Sequence, residues 1–98
     1  MSKTTRLDEN LCDAAENGDL KSVIEFLVEN GANVHARDDY ALRWASENGH
    51  LPVVEFLLAN GADAHARNYW ALYWADRNGH AEIVEVLKAA MKEEEERR

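Results

Sequence analysis

Four histidines, one cysteine and nineteen carboxylates are the side chains of this 98-residue sequence that could do chemistry. A metal site announces itself in sequence through His pairs at i, i+4 on one helix or through paired cysteines. His35, His50, His65 and His80 form no such pair, and Cys12 has no second cysteine to work with. A nucleophilic role for Cys12 is equally poorly supplied. Asp8, Glu9 and Asp13 stand around it, and nearby negative charge raises a thiol's pKa and dulls it. A small residue at the rim of the fold is the expected role. Glu25, Glu29, Glu55, Glu82 and Glu85 are spread along solvated helix faces, whereas a catalytic carboxylate pair needs a pocket. No glycine-rich phosphate cradle is present. The sequence therefore leads us to expect no metal, no cofactor, no small-molecule substrate and no enzymatic activity.

The aromatic residues carry a stronger signal. Of the eight in the chain, six are Tyr40, Trp44, Tyr69, Trp70, Tyr73 and Trp74; the other two are Phe26 and Phe56. Tyr and Trp bury large area with few rotors and dominate protein-binding hot spots. The net charge of −8 argues against nucleic acid and anionic membrane, which both require clustered Lys and Arg. A single cysteine excludes an internal disulfide framework and fits a reducing compartment. MSKTTRLDEN lacks the apolar stretch of a signal peptide, and no apolar run approaches the ~20 residues of a membrane span. A soluble cytoplasmic protein is expected.

The elements that position these side chains come from an internal repeat. His35 recurs as His65, Trp44 as Trp74, His50 as His80, and Asn30-Gly31-Ala32 as Asn60-Gly61-Ala62, each after 30 residues. An earlier copy aligns Leu11 with Leu42 and Gly18 with Gly49, an offset of 31. A single domain over residues 1–98 thus contains three copies, about 1–35, 36–65 and 66–98. In the second copy, Leu42 and Ala45 give a first helix its apolar edge, and Asn48-Gly49 ends it. Pro52 is tolerated in the first turn of a second helix. Val53, Val54, Leu57 and Leu58 supply that helix's buried stripe. Such a helix pair cannot hide its own apolar face, so stacking of neighbours makes the core. The last helix grades into KEEEERR, expected to be a solvated, fraying cap.

The stretch from Asn48 to Asp63 resembles the second helix and turn of an ankyrin repeat, and Ala41-Leu42-Arg43-Trp44-Ala45 stands where that family has its Thr-Pro-Leu-His-x-Ala start. The resemblance covers nearly the whole chain. It implies an all-α fold: an ankyrin-type helix-turn-helix solenoid of three stacked repeats with short turns. It also implies binding of another protein through the concave face. Two departures stand out. The repeat is 30 rather than 33 residues, which shortens the β-turn finger, and the Thr-Pro and His of the start motif are missing. Short repeats with Tyr40-Ala41-Leu42-Arg43-Trp44-Ala45-Ser46 are similar to those of some large viral ankyrin proteins. The near-perfect second copy and the charged cap are what an engineered member of the family would show.

Equivalent first-helix positions locate the expected surface. They read Asp8, Glu9, Cys12 and Asp13 in copy one, then Asp39, Tyr40, Arg43 and Trp44, then Tyr69, Trp70, Tyr73 and Trp74. At about 100° per residue the four positions span an arc of about 140°, with Leu72 and Ala75 roughly opposite. The arc is expected to face away from the core, with Trp44 and Trp74 partly packed between helices. Arg43 is expected to stack on Tyr73 or to pair with a partner carboxylate. The sequence thus points to a partner-binding face of Tyr40, Arg43, Trp44, Tyr69, Trp70, Tyr73 and Trp74. Its occupant is a different protein or, as the alternative, a second copy of the chain about a two-fold axis.

Overall fold

Thr5 starts the described chain, residues 5–97 of a computed structural model. Its hydroxyl accepts from the Asp8 backbone N–H at 3.1 Å, and the Asp8 carboxylate accepts from the Thr5 N–H at 3.0 Å. This reciprocal box satisfies two donors that a helix start leaves orphaned, and it opens α1 (Arg6–Glu16). Asp19 caps α2 (Leu20–Ile24) through Ser22, and the helix runs on as a π-helical turn over Glu25–Glu29. The remaining elements are α3 (Ala36–Glu47), α4 (Leu51–Ala59), α5 (Ala66–Arg77) and α6 (Ala81–Glu96). No described helix is long and apolar enough to cross a membrane.

The helices form three hairpins stacked side by side, as the repeat requires. Gly18, Gly49 and Gly79 take the left-handed conformation at φ 75, 81 and 77° and turn each first helix into its second. Leu11 and Leu42 are fully buried, as are Val23, Val53, Val54, Leu57 and Leu87. Leu58 is only partly buried against this core.

The shortened finger is a left-handed turn. Arg37, Asp38 and Asp39 have φ of 55, 56 and 58°, and Arg67, Asn68 and Tyr69 have 55, 58 and 64°. Each such residue costs about 1–2 kcal/mol unless it is glycine, because Cβ crowds the following carbonyl. The turn persists because bonds overdetermine it. His35 N–H donates to the Asn33 side chain at 2.9 Å, Asp39 N–H to the His35 carbonyl at 3.2 Å, and Arg43 Nη2 and Nε to the carbonyls of Arg37 and Asp38 at 3.0 and 2.9 Å.

The acidic tail differs from a fraying cap. The helix α6 continues to Glu96 with Met91 buried beneath it. Glu94 reaches back to the last turn, accepting from the Ala64 N–H at 2.9 Å and from His65 Nδ1. That bond raises the His65 pKa above its ordinary value. A charged residue late in the helix is thus recruited as an anchor for the last described finger.

Candidate functional site

Small and large residues set the curvature on which the site sits. Ala15, Ala41, Ala45, Ala71 and Ala75 are buried in the row of first helices, whereas Val23, Val53, Leu57, Ile83 and Leu87 fill the second row. The helices α1, α3 and α5 accordingly pack against one another more closely than do α2, α4 and α6. The stack bends toward the first helices, which line its inner curve.

The four first-helix positions expected to share one exposed arc are divided by the fold into two columns. One column faces the next repeat: Asp8 and Cys12, then Asp39 and Arg43, then Tyr69 and Tyr73. Asp39 is 4% exposed and Arg43 8%, because the following repeat covers them; Tyr69 and Tyr73, with no described repeat after them, are 44% and 53% exposed. The other column, Glu9 and Asp13, then Tyr40 and Trp44, then Trp70 and Trp74, looks onto the inner curve. Charge in the first copy signalled exposure for Glu9 and Asp13 but not for Asp8, which is buried. The Asp8 carboxylate accepts from the Asn33 backbone N–H at 2.8 Å, and that of Asp39 from the Asp63 N–H at 2.7 Å. Each is a clamp from one first helix onto the turn that leads into the next repeat. Cys12 is likewise interior rather than at the rim. Burial first, and nearby Asp13 and Asp8 only later, pushes its thiol up to about 11, which leaves it inert.

The amides of Asn33 and Thr5 hold the Asp8 carboxyl below its ordinary pKa. The unfolded chain therefore takes up this proton more readily than the folded one. The resulting stability is complete above the usual carboxylate range and is lost as pH falls through it. Asp8→Asn is expected to flatten the decline in stability between about pH 5 and pH 2. Urea midpoints measured across that range check this, and an acid limb as steep as that of the parent chain would refute it.

The inner column forms a continuous aromatic ladder. Ring centroids are 5.6 Å apart for Tyr40 and Trp44, 5.3 Å for Trp44 and Trp70, and 6.0 Å for Trp70 and Trp74. Tyr73 adds an edge contact to Trp74 at 5.2 Å. The ladder rings are partly exposed. Arg43 does not stack on Tyr73 and does not point to a partner. Its guanidinium lies 5.0 Å from the Trp70 centroid and 5.8 Å from that of Tyr40, with its donors spent on the left-handed turn. The arginine over Tyr73 is Arg77, at 5.7 Å. The Tyr40 hydroxyl donates to the Glu16 carboxylate, and this bond, with burial behind it, pushes the phenol up to about 12. The lower edge of the ladder is therefore fixed to the preceding repeat.

A second recurrent set served the sequence reading only as a helix stop and a register marker. Asn48 Nδ2 and His50 Nε2 both meet the Glu16 carbonyl, at 3.1 and 2.9 Å; Asn78 and His80 meet the Glu47 carbonyl at 3.0 and 2.9 Å. The Asn-Gly-His triplet thus locks each turn onto the last carbonyls of the preceding first helix. Recurrence of Asn48 and His50 as Asn78 and His80 was the visible signal. Among the described residues, Asp63, His65 and Glu94 bring metal-ligand atoms within 4.8 Å of one another. The His65 and Glu94 atoms are bonded to each other and hold the tail in place.

Helix pairs, glycine turns, a tight inner row and a repeated lock between neighbours are the features of one repeat architecture. A family model for ankyrin repeats in three copies matches residues 11–96, and the chain belongs to the ankyrin-repeat family.

Proposed function

We propose that the chain binds another protein on the inner curve of its stack, with Tyr40, Trp44, Trp70 and Trp74 as the contact ladder and Tyr73 and Arg77 at its edge. Ankyrin repeats are generally protein-interaction modules and typically carry no enzymatic activity. The observation that carries the reading is the unbroken run of four partly exposed rings contributed by two successive first helices. Rings held side by side by their own neighbours are preorganised, so a partner loses little entropy in ordering them. Arg43 beneath Trp70 stiffens the centre of the ladder without offering a charge to the partner.

Peptide display against the immobilised chain tests the proposal. Trp70→Ala is expected to weaken selected binders about 30-fold, the hot-spot scale of ~2 kcal/mol, while helical circular dichroism is retained. Binders insensitive to both Trp70→Ala and Trp74→Ala would exclude the ladder as the binding surface.

A further inference from the structure

The face of the third repeat that looks outward along the stack is built differently from its two predecessors. In repeat two the corresponding side chains are Asp39, Leu42, Arg43 and Ser46, all buried under repeat three. In repeat one they are Asp8, Leu11, Cys12 and Ala15, buried under repeat two. In repeat three they are Tyr69, Leu72, Tyr73 and Asp76; Leu72 is partly buried against the core, and the other three are exposed among the described residues. With Asn68, Val84 and Lys88 they line a groove of about 380 Å³.

Three replacements show that this face does not receive an ordinary repeat. Tyr69 stands where Asp8 and Asp39 accept the next finger's N–H. Asp76 stands where Ala15 and Ser46 let the next helix approach closely. Lys88 stands where Leu58 is partly buried against the core. Those changes also argue against head-to-tail stacking of identical chains, which would reuse the ordinary inter-repeat contact. The groove instead suits itself. It has an apolar floor of Leu72 and Val84 and two exposed tyrosines. It also carries one charge of each sign, Asp76 on α5 and Lys88 on α6. A two-fold axis through its centre sets each Asp76 opposite Lys88 of the other copy, which is the self-complementarity an isologous contact demands.

We infer that two copies of the chain associate tail to tail through Tyr69, Leu72, Tyr73, Asp76 and Lys88. This surface shares only Tyr73 with the edge of the inner aromatic ladder and leaves Tyr40, Trp44, Trp70 and Trp74 accessible in both copies.

Sedimentation equilibrium across two decades of protein concentration tests the inference. The parent chain is expected to shift from monomer to dimer as concentration rises. Asp76→Lys and Lys88→Asp, each placing like charges opposite one another, are expected to weaken the dimer about tenfold or more. The double variant Asp76→Lys/Lys88→Asp restores the pairs and is expected to return the affinity toward that of the parent. Trp70→Ala is expected to leave the dimer intact, which separates this surface from the proposed binding ladder. A parent chain that stays monomeric throughout, a dimer indifferent to either single exchange, a double exchange that restores nothing, or a dimer abolished by Trp70→Ala each overturns the proposal.

Discussion

Asp39→Ala is expected to lower the stability of the chain by about 3 kcal/mol or more, from two bonds to a charged acceptor worth about 1.5–3 kcal/mol each. The carboxylate is buried and accepts from the Asp63 backbone N–H at 2.7 Å, in the turn that leads into the third repeat, and from His35 Nδ1 at 2.9 Å within its own turn. Both bonds are lost together, and alanine is a poor occupant of the left-handed backbone that Asp39 adopts at φ 58°. For a domain of this size the loss corresponds to a fall in melting temperature of about 12–24 °C. Asp38→Ala is the matched control. Asp38 has nearly the same backbone angles and an exposed carboxylate, whose ion pair with Arg67 at 3.3 Å is solvated, so it is expected to cost about 1 kcal/mol or less beyond the backbone penalty that both variants share. Thermal melts of the two variants side by side decide the matter. Equal losses would mean that the clamp onto the following turn contributes nothing and only the backbone at residues 38 and 39 counts.

A second pair of variants separates backbone strain from contact between repeats. Gly49 and Gly79 occupy equivalent turns with φ 81 and 77°, so an alanine at either pays the left-handed cost of about 1–2 kcal/mol. They differ in what lies above them. A Cβ on Gly49 would stand 2.6 Å from the His80 ring, whereas one on Gly79 would meet nothing within 4 Å. His80 cannot swing aside freely, because its Nε2 is bonded to the Glu47 carbonyl at 2.9 Å. Gly49→Ala is therefore expected to cost about 3 kcal/mol in all, strain plus one broken bond and its displaced ring. Gly79→Ala is expected to cost only the strain. Urea denaturation of both proteins measures the difference, and equal midpoints would show that the histidine lock gives way at no cost.

The two variant pairs bear on the same question: how a short repeat survives the loss of three finger residues. In place of the longer finger, the chain uses three successive left-handed residues and holds them with Asp39 and Arg43 in the second repeat. The third repeat keeps the turn without those clamps. Asn68, a residue type that tolerates this backbone, sits at its centre, and Glu94 from the tail holds the base of the turn at Ala64 and His65. The tail is thus part of the last repeat's stability, and the aromatic ladder depends on turns that the sequence pattern alone presents as simple connections.

Several features were legible in the residues alone because they depend on local periodicity. The recurrence of Asn-Gly-His and Asn-Gly-Ala at a 30-residue register dictated helix pairs and their number. Leu72 and Ala75 opposite the aromatic positions dictated which side of the first helix is core; Ala75 is fully buried and Leu72 partly buried against that core. What periodicity within one helix cannot supply is the identity of the neighbour beside it. A single-helix projection puts Asp39 and Tyr40 on the same arc. Only stacking decides that a backbone N–H from residue 63 arrives to bury Asp39 while Tyr40 stays at the inner curve. Arg43 likewise carries a charge that in isolation calls for solvent, yet two carbonyls of a left-handed turn and two aromatic rings enclose it. Sequence fixes the contacts a residue makes three or four positions away, because the helix sets that geometry. Contacts 24 to 34 residues away are set by how repeats stack, and on these depend which charges are buried and which rings remain exposed.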